Sequence, residues 1–431
     1  MSLIILHTSE AIRKQFKKRE FTMRFGLLGR KLGHSYSPQI HKFLGDYEYP
    51  LYEKEPHEID SFMKSGEFDG MNVTIPYKET VVPYMSSLSD AAKRIGSVNT
   101  VTRLPDGTLF GDNTDYYGFS FLLDSNGFNI ENQKVLVLGN GGASKTVVCV
   151  CRDRKAKEVT VISRSSPTDN YNNISKHADA DYIINTTPVG MYPNNGERLI
   201  DLSLFKNCKG VADLIYNPSK TQFLLDAENL GIPQANGLIM LCAQAVKAAE
   251  NFTGNKYESG KTLEILSALE KQMKNIVLVG MPGCGKSTAG KLLAQKLGRD
   301  FVDTDILIEE NEKKPIPQIF EEMGEEYFRN AEAQAVAAAG KMSGKIIATG
   351  GGAILKSENK TALRQNATVV FLHRDINTLA TDGRPLSKSG KLNEMYEARL
   401  PHYKAVSDFT VEVASDPVIT VERMMKGLDL K

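Results

Sequence analysis

The sequence predicts an α/β protein built on mainly parallel sheets and divided into more than one domain. Three observations lead there. Short apolar runs of strand character alternate with helical stretches along most of the chain. Two glycine-rich turns each follow such a run and open a helix. The 431 residues exceed what one hydrophobic core usually serves.

The bulk composition points to small-molecule chemistry. Charged residues make up 24% of the chain with a formal net charge of +1, so no global field favours nucleic acid or an acidic membrane surface. No apolar run approaches the roughly 18 residues of a membrane span. The five cysteines (Cys149, Cys151, Cys208, Cys242, Cys284) are odd in number and form no CxxC pair, which suits a reducing, cytoplasmic compartment.

In chain order, residues 1–22 read as a disordered extension, their short apolar run followed rather than led by basic residues. From Met23 the strands RFGLLG, GMNVTI, KVLVLG, EVTVIS, DYIINTT and GVADLIY alternate with helices. After Gly237 come two helical stretches, LIMLCAQAVKAAENF and KTLEILSALEKQM. NIVLVG then restarts an α/β unit, continued by RDFVDTD, KIIATGG and ATVVFLHR. The expected domains are 23–118 plus 237–272 as a substrate domain, 119–236 as a Rossmann domain, and 273–431 as a P-loop domain.

GMPGCGKST, at 280–288, fits GxxxxGK(S/T) between a strand and a helix. Backbone N–H groups of Gly283, Cys284, Gly285 and their neighbours through Thr288 would wrap phosphate oxygens at a helix N-terminus. Lys286 would reach the β and γ phosphates and Ser287 would ligate Mg2+, so this half uses ATP or GTP. Asp303 and Asp305 in FVDTD have the spacing that points both to one face of a strand, where they would serve Mg2+ and an acceptor hydroxyl. Gly350, Gly351 and Gly352 after KIIAT would let substrate approach bare backbone.

With GMPGCGKST, DTD, EEYFRNAE, ATGGGA, GRPL and ARLPHY, this segment resembles shikimate kinase. The resemblance implies ATP as donor and Asp305 as hydrogen-bond partner and base for the accepting hydroxyl. Asp303 would support Mg2+ through water. Arg329 and Arg399 would clamp the substrate carboxylate, the three glycines would line the pocket, and Arg384 in the lid would meet the transferring phosphate. A guanidinium fork suits both anions.

KVLVLGNGGAS places Gly139 and Gly141 as the first two glycines of GxGxxG, with Ser144 at the third position. The next strand, EVTVISRS, ends at Ser163 and Arg164, where a basic residue favours a 2′-phosphate and hence NADP(H). Upstream, GHSYSP puts Ser37 as an N-cap before Pro38, so Ser35 and Ser37 would meet a helix N-terminus that suits an anion. GMNVTIPYKETV and GDNTDYYGF supply Asn72, Thr74, Lys78 and Asp115, and a lysine beside an aspartate in a cleft is an acid/base pair.

These elements, with GSVNTV and LCAQA, resemble shikimate dehydrogenase over roughly 23–271. The resemblance implies Lys78 and Asp115 as the catalytic pair, with Ser35 and Ser37 on the substrate carboxylate. Asn99, Asp115 and Gln244 would hold ring hydroxyls, with Thr74 and Tyr216 close by. Gly139, Asn140, Gly141, Gly142, Ala143, Ser163, Arg164 and Gly237 would bind the cofactor. Relatives commonly carry asparagine where this chain has Ser163. Together the resemblances imply a bifunctional enzyme of aromatic amino acid biosynthesis, taking 3-dehydroshikimate through shikimate to shikimate 3-phosphate.

Overall fold

The structure, a computed structural model, describes residues 23–33, 35–379 and 392–430. The extension 1–22 and the lid residue Arg384 therefore lie outside the described residues.

Three sheets organise the chain. The first has the order β2-β1-β3-β5-β6-β4, from β1 (Leu27–Gly29), β2 (Leu51–Glu53), β3 (Gly70–Val73), β4 (Ser87–Leu88), β5 (Thr100–Arg103) and β6 (Leu109–Asp112). Here β3, β5 and β6 pair antiparallel, so this sheet is mixed. The second runs β11-β10-β9-β7-β8, from β7 (Lys134–Leu138), β8 (Glu158–Ile162), β9 (Tyr182–Asn185), β10 (Gly210–Asp213) and β11 (Gln234–Asn236). The third runs β13-β14-β12-β15-β16, from β12 (Asn275–Val279), β13 (Phe301–Asp303), β14 (Ile346–Ala348), β15 (Ala367–His373) and β16 (Phe409–Glu412). Both of these are wholly parallel.

The apolar character of the central strands follows from their burial on both faces. Every residue of β9, β10 and β12 is buried, as strands covered on both sides by helices must be. Val135, Val137 and Ile184 of the second sheet pack with Phe119 and Leu122 of the helix Thr114–Ser125 and with Val147 and Val150 of the helix Gly142–Asp153. Val277, Val279 and Phe371 of the third sheet pack with Leu293 and Met424.

Tertiary contacts divide the chain into two units. The first runs through Val189 and includes Leu199–Tyr216 and Asp226–Leu269; the second comprises Gly190–Arg198, Asn217–Leu225 and everything from Glu270. Segments 190–198 and 217–225, expected in the Rossmann domain, thus group with the C-terminal unit. The first is turn-rich, the second runs into the helix Gln222–Asn229, and both hydrogen-bond to its body: the Tyr192 hydroxyl donates to Gly340 O at 3.1 Å, and Lys220 N to Gln365 O at 2.8 Å.

Gly237 illustrates how tightly the backbone is packed beside the second sheet. A Cβ there would lie 2.0 Å from Leu214 O, a backbone atom that cannot swing aside. Gly237→Ala is expected to destabilise the first unit by about 1–3 kcal/mol through overpacking. Gly260→Ala, with nothing within 4 Å of the added carbon, should stay within about 0.5 kcal/mol. Urea unfolding of the two variants checks this.

Candidate active sites

Strand β3 ends at Val73, and the backbone is held beyond it: Thr74 N donates to Leu28 O at 2.9 Å and Val98 N to Lys78 O at 2.8 Å. These bonds fix the turn that presents Lys78. Across the gap, Asp115 stands in the first turn of the helix Thr114–Ser125, and Lys78 Nζ donates to Asp115 Oδ2 at 2.6 Å. The two side chains are 28% and 16% exposed, sheltered yet reachable.

A cavity of about 330 Å³ opens around this pair. It is lined by Ser35, Ser37, Asn72, Thr74, Lys78, Asn99, Asp115, Tyr216 and Gln244, all singled out in the sequence. Leu27, Lys31, Leu32, Gly33, Val73 and Leu241, none of them expected as site residues, complete the wall.

Hydrogen bonding orients the polar groups. Asn99 Oδ1 accepts from Thr114 N at 2.7 Å and from the hydroxyls of Thr100 and Thr114 at 3.0 and 3.2 Å, which leaves the amide nitrogen as the donor available to a ligand. Gln244 Nε2 donates to Leu241 O at 3.0 Å. Ser37 is not the N-cap: the helix begins at Ser37 itself and Tyr36 precedes it, while Ser35 Oγ accepts from Ser37 N at 3.2 Å. The helix is only five residues long, so the two hydroxyls, rather than a helix dipole, are what this corner offers an anion.

At the end of β7, Gly139 has φ +101°, and an added Cβ would meet Thr187 Cγ2 at 2.7 Å. Only glycine makes this turn. Gly141 caps the helix Gly142–Asp153, with open space around the Cβ positions of Gly141 and Gly142. A pyrophosphate fits such a bare backbone at a helix N-terminus. Asn140 Nδ2 donates to Ser165 Oγ at 3.2 Å, so the turn touches the end of the next strand, where Arg164 is exposed and Ser163 buried. Ser165 escaped the sequence reading because a serine beyond a strand carries no signal of its own.

In the second unit a cavity of about 600 Å³ gathers Gly283, Gly285, Lys286, Ser287, Thr288, Asp303, Asp305, Arg329, Gly350, Gly351, Gly352 and Arg399. Lys286 is buried over the loop, its Nζ donating to Gly280 O and Met281 O at 2.9 Å each. Cys284 is fully buried beneath the loop and its N donates to Met281 O at 3.2 Å, so it does not line the cavity.

Asp303 and Asp305 do not share a strand face, as their spacing had suggested. Asp303 closes β13 and caps the next helix, its Oδ1 accepting from Asp305 N at 3.0 Å, and Asp305 stands in that helix's first turn. Capping by aspartate is favoured where a strand ends directly before a helix. Asp303 Oδ2 also accepts from the Ser287 hydroxyl at 2.7 Å, placing two hard oxygen donors together, as Mg2+ beside nucleotide phosphates requires.

The glycines at 350–352 are required by close approach. Added Cβ atoms would lie 2.7 Å from Asp305 Oδ1 at Gly350, 2.6 Å from Pro282 Cδ at Gly351 and 2.4 Å from an Arg329 nitrogen at Gly352. Arg329 donates to Glu332 at 2.8 Å and to Glu325 at 3.1 Å. Glu332 is 1% exposed, and burial pushes its carboxyl up against the pull of Arg329. Glu332 and Arg374, which also line this cavity, were not expected from sequence. Burial, reinforced by Asp303, raises Asp305 to about 6.

The folds and sites define two nucleotide-using enzymes in one polypeptide, an oxidoreductase and a P-loop phosphotransferase. Residues 27–101 match the family model of the shikimate dehydrogenase substrate binding domain, and residues 282–428 that of shikimate kinase. The shikimate dehydrogenases (NADP(+)) of Clostridium beijerinckii and Clostridium perfringens are each 37% identical, over 58% and 57% of this chain and 99% and 98% of their own length. The solved chorismate mutase/shikimate 5-dehydrogenase fusion of Clostridium acetobutylicum is 35% identical with a TM-score of 0.55, covering 58% of this chain and 98% of that one. The Thermus thermophilus shikimate 5-dehydrogenase in complex with NADP(H) and shikimate is 29% identical with a TM-score of 0.53, covering 57% and 99%. This chain belongs to the shikimate dehydrogenase family and carries a shikimate kinase domain behind the dehydrogenase.

The raised Asp305 bears on stability. With a folded value near 6 against an ordinary value near 4, the folded unit holds this proton more tightly than the unfolded chain. The site therefore costs stability progressively as pH rises through that window, up to about 3 kcal/mol above it. Asp305→Asn is expected to raise the unfolding midpoint of the C-terminal unit at pH 8 but not at pH 4, measured calorimetrically.

Proposed function

We propose that the chain reduces 3-dehydroshikimate to shikimate with NADPH and then phosphorylates shikimate with ATP and Mg2+ to shikimate 3-phosphate, in the cytoplasm, within aromatic amino acid biosynthesis. The observation that carries the reading is the Lys78–Asp115 pair at 2.6 Å, set in a cavity whose other walls offer two serine hydroxyls and an outward amide.

Bound beside the Gly139–Gly142 turn, NADPH would supply the hydride for the ketone carbon. Lys78, as an ammonium, donates a proton to the ketone oxygen as negative charge develops there, and the resulting amine regains a proton from solvent. Asp115 aims that ammonium and accepts from the neighbouring hydroxyl. Ser35 and Ser37 hold the carboxylate, while Asn99 and Gln244 hold ring hydroxyls. The exposed Arg164 suits a 2′-phosphate.

In the second cavity Arg329 and Arg399 grip the carboxylate of shikimate, and Asp305 takes the proton from the hydroxyl that attacks phosphorus. Ser287 would hold Mg2+ with Asp303 supporting it through water, and Lys286 and the loop amides would hold the phosphates. Five free thiols suit a reducing compartment.

A coupled assay with 3-dehydroshikimate, NADPH and ATP, following absorbance loss and ADP release separately, tests the assignment. Lys78→Ala is expected to lower NADPH oxidation about a hundredfold or more while leaving ADP release from added shikimate intact. Asp305→Asn should do the reverse. Near-normal NADPH oxidation by the lysine variant would refute its role.

A further inference from the structure

We propose that Arg374 is a phosphate-binding residue of the kinase site, gripping the terminal phosphates of the nucleotide beside Lys286. The backbone brings it there. Strand β15 pairs with β12, Phe371 opposite Val279, so β15 runs past the point where β12 turns into the phosphate loop. The approach is close: Gly280, the first residue of the loop, has φ +151°, and a Cβ on it would sit 2.5 Å from Leu372 O. Two residues beyond Leu372, the Arg374 side chain enters the wall of the same cavity as Gly283, Gly285 and Lys286.

Its hydrogen bonding sets Arg374 apart from Arg329 and Lys286, two other cations of that cavity. Arg329 is tied to Glu325 and Glu332. Lys286 rests on two loop carbonyls. Arg374 makes one long contact, from Nε to the Thr378 hydroxyl at 3.3 Å, and no carboxylate pairs with it among the described residues. A half-buried guanidinium with spare donors and no anionic partner, facing a phosphate loop, has its counter-charge supplied by the ligand. The fork geometry favours phosphate oxygens over a purine face, because the residue stands beside the start of the loop that wraps them.

The inference rests on the kinase reading, but its test does not need the acceptor. In the full-length chain, Arg374→Ala should weaken binding of Mg-ADP and of inorganic tripolyphosphate roughly 10- to 100-fold by calorimetry, as loss of a charge-assisted contact implies. The KM for ATP should rise in step while the KM for shikimate and the NADPH-linked rate stay within about twofold. Arg374→Lys should recover part of the loss, since it keeps the charge and forfeits the fork. Unchanged affinity for both probes would overturn the proposal, and so would weakened ADP with unchanged tripolyphosphate, which would place the residue on the base. A chain that binds tripolyphosphate through Arg374 yet never phosphorylates shikimate would overturn the function and leave this inference standing.

Discussion

The chemistry of both units depends on a parallel strand that must stop, bare its backbone and start a helix within a few residues. Gly139 and Gly280, at φ +101° and +151°, occupy conformations that side chains rarely adopt, and a Cβ on either would collide with the neighbouring strand end. That requirement puts nucleotide phosphates at the carboxyl ends of the strands. In the third sheet the rest of the machinery follows: Asp303 closes β13, Gly350 stands just beyond β14 and Arg374 just beyond β15.

The two sites manage protons in opposite electrostatic settings. Lys78 and Asp115 form a partly exposed ion pair at 2.6 Å, an opposite-charge contact within reach of solvent and ligand. Asp305 lies in a crowded acidic corner, where burial and Asp303 disfavour its charge, which makes it a better proton acceptor than an ordinary carboxylate. Glu332 serves that corner differently: buried against Arg329, it limits where the guanidinium can point. Removing one partner of such a buried pair leaves the other charge uncompensated.

What the sequence revealed depended on how local the determining interactions are. The ten strands expected from apolar runs are all present, as are the helices Leu238–Thr253 and Lys261–Met273, because burial on two faces or along one stripe leaves a pattern several residues long. The strands missed are the sheet edges β2, β4, β11 and β16 and the β5–β6 hairpin, none of which is a continuous apolar run. At the sites, residues inside motifs were legible. Glu332 and Arg374 were not, since each acquires its setting only when a distant segment, the 350–352 glycines for one and the phosphate loop for the other, folds against it. Asp303 was assigned to the right neighbourhood by the wrong local geometry, because capping competes with strand continuation at that residue.

The central claim is that two cavities act in turn on one oxygen atom. Turnover of 3-dehydroshikimate with ATP and NADPH carrying deuterium at its transferable position tests this directly. Nuclear magnetic resonance of the product should find deuterium on the carbon whose oxygen bears the phosphate. A phosphorylated product with deuterium on any other carbon, or with none, would contradict the account.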